Sequence, residues 1–92
     1  MDKRYVIETP EQLKELAFFC TKGSYAKVHN VAKVWSANRR QYGATVWDGK
    51  IFVGTEKGER CVYRTGVKGE TVVFGWLEEK ALEWCEKNLR ER

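Results

Sequence analysis

Several residue types are scarce in this chain, and each scarcity excludes a class of function. Histidine occurs once, as His29, and proline once, as Pro10. Cysteine occurs three times, at Cys20, Cys61 and Cys85, widely spaced and each within an apolar pattern. An odd, dispersed set does not suit a disulfide scaffold, and a zinc site wants close Cys pairs with further Cys or His. The expectation is three buried thiols behaving as small hydrophobes, with no metal and no cofactor. The sequence has no Gly-rich phosphate loop, no Cys–His pairing by motif and no carboxylate pair at a telling spacing. No catalytic residue is therefore assigned, and His29, lacking an identifiable orienting partner, reads as a surface histidine. No apolar run approaches the length of a membrane span, and Met1-Asp2-Lys3-Arg4 leads into a strand-like stretch rather than a secretory signal. A cytoplasmic chain without a membrane partner is expected.

The largest absence is of acid. From Leu16 to Trp47 there is no Asp or Glu, while the same window holds Lys22, Lys27, Lys33, Arg39 and Arg40. The rest of the chain carries 12 basic and 13 acidic residues, so the formal charge of +4 is local. Elsewhere, charged residues are interleaved with apolar ones, and twelve aromatic residues (four each of Trp, Tyr and Phe) are available to a small core. That is the composition of one folded domain.

Local signals predict an α+β fold in the order β-α-α-β-β-β-β-α, a small antiparallel sheet packed against two or three helices. Arg4 to Glu8 is β-prone, with Tyr5 and Ile7 on one face. Thr9-Pro10-Glu11-Gln12 is a helix start with a capping box, and Lys22-Gly23 is its predicted end. Ser24 to Tyr42 carries Val28, Val31, Ala32 and Trp35 at helical spacing, with Ser24 as cap and Gly43 as stop. Its three valines and a period-two alternation also suit a strand, and helix is the preferred reading. Ala44–Trp47 and Lys50–Val53 flank Asp48-Gly49, a pair that favours a type I′ hairpin. Glu59–Thr65 and Glu70–Trp76 complete a four-stranded meander, and Leu77 to Arg92 reads as a closing helix with Glu83/Lys87 and Glu86/Arg90 pairs.

If Ser24–Tyr42 is helical, His29, Lys33, Ser36 and Arg40 share a face, flanked by Lys27, Asn30 and Gln41. Cations there would hold phosphates, while His29, Asn30 and Gln41 are side chains able to reach base edges. With the preceding helix this segment would make a helix-turn-helix-like pair, with the Trp47–Lys50 hairpin as a wing. The first expectation is thus a non-enzymatic module binding DNA or RNA through Lys22, Lys27, His29, Asn30, Lys33, Arg39, Arg40 and Gln41. Trp35, Tyr42, Trp47 and Phe52 are either a stacking platform or core, with Trp47 the most exposed. An accessory or inhibitor protein of viral or mobile-element type, docking on another protein, is the alternative. Finally, Glu59-Arg60-Cys61-Val62-Tyr63-Arg64, a turn, and Val72-Val73-Phe74 after two helices resembles the RelE/ParE-like ribosome-dependent toxins. The resemblance covers a minority of the chain and implies RNA cleavage with Arg60, Tyr63 and Arg64 as the matching residues. The Asp48-Gly49 hairpin and the long terminal helix depart from that pattern.

Overall fold

The computed structural model describes residues 3–21 and 23–92. Strand β1 (Tyr5–Ile7) leads into helix α1 (Pro10–Ala17), whose start is the expected capping box. The Thr9 hydroxyl accepts from the Gln12 amide (3.2 Å), and Gln12 Oε1 accepts from the Thr9 amide (3.3 Å). The helix stops at Ala17 and does not run to Lys22-Gly23, because Cys20–Thr21 forms a short strand, β2, paired with Leu77 and Trp76. Phe19 turns towards the core beside Trp84, and its carbonyl accepts from the Glu78 amide (2.8 Å). Long-range sheet pairing overrides the local helix preference here.

Residues Tyr25–Tyr42 form helix α2, which settles the helix–strand ambiguity. Val28, Ala32 and Trp35 are fully buried and Val31 is partly so. Gly43 ends the helix at φ 82°, its N–H donating to the Arg39 carbonyl, as expected for a left-handed stop. Ser24 does not cap through its side chain; its Oγ accepts from the Trp76 amide (3.0 Å) in the sheet. A Cβ at Gly75 would lie 2.6 Å from Ser24 Cβ and 2.8 Å from Val28 Cγ2, so that glycine lets α2 rest directly on the strand. The first turn of α2 is thereby pinned to the sheet.

Two predicted elements need correction. Ala44–Trp47 is not a strand, and Asp48-Gly49 does not close a hairpin; residues 44–50 form a looped turn. The meander has three strands, β3 (Ile51–Glu56), β4 (Glu59–Thr65) and β5 (Thr71–Leu77). Its two-residue turn with both φ values positive is Lys57 (φ 53°) and Gly58 (φ 80°), the pattern a type I′ turn requires. The closing helix, α3, spans only Ala81–Asn88, since Leu77 belongs to β5 and Leu89 is extended. Arg90–Glu91 then forms β6 beside β1, and Arg90 pairs with Glu8 (3.2 Å) rather than with Glu86.

The antiparallel sheet runs β2-β5-β4-β3-β1-β6, so the fold is α+β with a small antiparallel sheet, in the order β-α-β-α-β-β-β-α-β. Tyr5, Ile7, Ile51, Val53, Val62 and Phe74 pack with Leu13, Trp35 and Cys85 of the helices into the main core. Val6, Phe52, Cys61 and Tyr63 form a smaller cluster on the other sheet face, to which the described helices add no residue.

Candidate nucleic-acid interface

Helix α2 is 18 residues long, about 27 Å at 1.5 Å per residue, and its inner stripe faces the sheet. The steps of four, three and four from His29 through Lys33 and Ser36 to Arg40 keep those residues on one outward flank, with Tyr25 one turn before them. Lys33 and Arg40 are exposed and His29 is partly so. Asn30, Ala37 and Gln41 form the adjacent exposed ridge. Lys27 is also exposed but belongs with Val34 and Asn38 on the opposite flank, while Lys22 lies outside the described residues.

Arg39 behaves differently. Its Nε stands 3.7 Å from Asp48 Oδ2. The other oxygen of Asp48 accepts from the buried Trp35 indole N–H at 2.6 Å. Asp48 also accepts from the Thr45 amide, so the residue expected to turn a hairpin instead ties the loop after α2 to the helix. This is the physical reason for the missing wing: a carboxylate with an indole donor within reach is used for tertiary bonding rather than for a tight turn. Lys27, Lys33 and Arg40 have no ion-pair partner among the described residues. The rim is not free of acid, since Glu11 shares a shallow concavity with Ser36, Arg39 and Arg40.

Of the four rings read as platform or core, the core alternative holds for Trp35 and Phe52, and Tyr42 rather than Trp47 is the most exposed. Trp35 is buried, Phe52 lies on the other sheet face, and Trp47 is half-buried with Phe74 edge-on at 6.5 Å. Tyr42 is 71% exposed, so these four rings do not assemble into one platform. The rings that do meet at the surface are Phe18, Tyr25 and His29. Phe18 lies 5.6 Å from Tyr25, and Tyr25 stacks on His29 at 5.4 Å and 18°. Tyr25 was readable as the residue one turn before His29; Phe18 was not, because its exposure depends on α1 ending early.

The residues matched to the toxin resemblance do not converge. In β4, Arg60 and Arg64 alternate with Tyr63. They follow Val62 of the main core, whereas Tyr63 joins Cys61 and Phe52 on the opposite sheet face. Of the three thiols expected to be buried, Cys61 and Cys85 are and Cys20 is half-buried; desolvation pushes all three up to about 11, which disfavours the reactive thiolate. Among the described residues no group of His, Cys, Asp and Glu is arranged to hold a metal, and no helix is long and apolar enough to cross a membrane. Comparison with protein-family models, curated proteins and solved structures finds no match.

Proposed function

We propose that this chain is a non-enzymatic nucleic-acid-binding module that holds DNA or RNA phosphates along the outer side of α2. The observation that carries this reading is the helix itself. An acid-free segment folds so that Lys33 and Arg40 share an exposed flank without carboxylate partners among the described residues, and Lys27 extends the positive surface around the helix. A row of unpaired cations on a rigid element neutralises phosphates and releases counterions. Asn30 and Gln41 on the neighbouring ridge supply amides able to reach base edges or sugar hydroxyls. Arg39 is a reserve cation, engaged by Asp48 in the free protein.

The test is a salt titration of binding to labelled DNA and RNA. Contacts from three cations give a slope of log K against log salt of about −2 to −3, with dissociation constants on the order of 10⁻⁴ to 10⁻⁶ M at physiological salt. Binding that does not respond to salt, or an absence of binding at low salt, overturns the proposal.

A second reading, docking on another protein, is favoured by one separate feature. Tyr42 and Val46 are 71% and 77% exposed, and with Asn38, Ala44 and Thr45 they line an open groove beyond the end of α2. Exposed apolar groups gathered in a concavity suit a protein partner. That reading requires a complex that survives nuclease treatment and is lost on Val46→Glu. The toxin reading needs Arg60, Tyr63 and Arg64 at one site, and their division between two sheet faces gives it no support.

A further inference from the structure

The N-terminal end of α2, beside the residue that follows α1, carries a surface feature that phosphate binding alone leaves without a use. Phe18 is 72% exposed although it follows directly on the buried run Leu16-Ala17. The chain must leave α1 here and enter β2, with Phe19 inward and Cys20 in register with Leu77, and that path turns Phe18 out. Its ring leans on Tyr25, itself 42% exposed, and Tyr25 is stacked on His29. The three rings make a column one helical turn before Lys33, and Tyr25 to Lys33 is about 12 Å along the helix at 1.5 Å per residue.

We propose that the Phe18–Tyr25–His29 column is a stacking site for an unpaired nucleobase, so that the nucleic acid taken by α2 is single-stranded. The inference rests on the nucleic-acid reading and narrows it. A duplex buries the faces of its bases against one another and offers an exposed ring nothing to stack on except at its ends. A single strand offers a base face to Phe18 while its phosphates follow Lys33 and Arg40. Stacking of this kind tolerates any base, since every base has a π-face, and it needs no hydrogen-bond register with the protein. The helix face supplies the charge, and the column supplies the preference for unpaired strands.

The experiment measures affinity by fluorescence anisotropy for oligothymidylate, oligouridylate and a blunt DNA duplex. The wild-type chain is compared with Phe18→Ala, Phe18→Leu and Phe18→Trp, each checked for native circular dichroism. Wild type is expected to prefer both single strands over the duplex. Phe18→Ala should weaken single-strand binding on the order of tenfold, leave duplex binding and the salt slope unchanged, and be matched by Phe18→Leu. Phe18→Trp should restore the affinity. Rescue by Leu, or an equal loss on duplex and single strands, overturns the stacking site while leaving the phosphate-binding helix intact. Failure of the wild type to bind any of the three at low salt overturns both.

Discussion

On α3 and the sheet edge beside it, cations sit next to acids. Lys80 is 3.4 Å from Glu78, Lys87 is 3.3 Å from Glu83, and Arg90 is 3.2 Å from Glu8. On α2 the cations are arranged otherwise: Arg39 has Asp48, while Lys27, Lys33 and Arg40 have no such partner among the described residues. Composition already separates these two regions, because residues 77–92 carry five Glu among their cations while α2 carries no acid. The fold adds Asp48 beside Arg39, and paired surface charges give weak fields at a distance whereas unpaired ones on one flank add. The most direct way to break the comparison is to reverse charge in both regions. Lys33→Glu with Arg40→Glu should reduce affinity for a labelled oligonucleotide on the order of a hundredfold, whereas Lys80→Glu with Lys87→Glu should change it less than about twofold. Equal losses in an anisotropy titration would mean that net charge, and not the α2 surface, governs binding.

Asp48 forms an ion pair with Arg39 of the basic helix, so altering it sharpens the contrast further. Asp48→Ala leaves the buried Trp35 indole N–H without its acceptor and should cost about 1–3 kcal/mol in a urea unfolding experiment. Asp48→Asn can keep that bond through its amide oxygen, so its cost should be smaller, about 1 kcal/mol. It also releases Arg39 from its ion pair, and oligonucleotide affinity should rise severalfold. An Asn variant that gains nothing in affinity would remove Arg39 from the proposed surface.

Where the sequence could and could not be read follows the same division between local and long-range causes. The capping box at Thr9–Gln12 and the stripe Val28–Ala32–Trp35 are set by spacing within a few residues, and both appear as expected. The exposed flank His29–Lys33–Ser36–Arg40 follows from that stripe, so the helix that carries the candidate interface was legible. Asp48-Gly49 misled because its turn preference competes with an indole donor from a helix thirteen residues earlier, a partner no local pattern reveals. Strand β2 was hidden for a similar reason, since Cys20–Thr21 is extended only because Trp76–Leu77 pairs with it. The exposure of Phe18 is a consequence of that pairing and could not be read before it.

The two regions also differ in how they treat titratable groups. The surface of α2 holds its cations in water, while the sheet and α3 hold neutral thiols. Cys61 and Cys85 are fully buried and burial pushes both up to about 11, from an ordinary value of 9.0. In the unfolded chain they release protons first, so between these values the unfolded state binds fewer protons and stability falls as pH rises. Urea midpoints should hold steady below about pH 9 and decline from there to about pH 11, with Cys61→Ala and Cys85→Ala flattening the decline at some cost in packing. Burial also raises Tyr5, with Glu86 adding to it, and Cys20 keeps its raised thiol, so a fall in the same direction should persist in the Cys61→Ala, Cys85→Ala chain. A midpoint that rises over this interval would contradict the neutral, buried state of these groups.

The smallest effect belongs to the paired region and tests whether its pairs matter at all. Lys87 and Glu83 are spaced i, i+4 in the favourable order, yet their side chains are 71% and 75% exposed. Water screens such a pair, and holding two long side chains together costs rotamer entropy, so Lys87→Ala should destabilise the fold by no more than about 0.3–0.5 kcal/mol. Added salt should erase even that. If the loss were several times larger, the Lys87 stem would have to be packing on Trp84, with which it shares a shallow groove, rather than acting through its charge. Lys87→Met separates the two, since it keeps the stem and removes the ammonium. A Met variant as stable as wild type would mean that cations near α3 are retained for the apolar surface they cover, in contrast with the proposal for α2, in which the charged ends themselves hold phosphates.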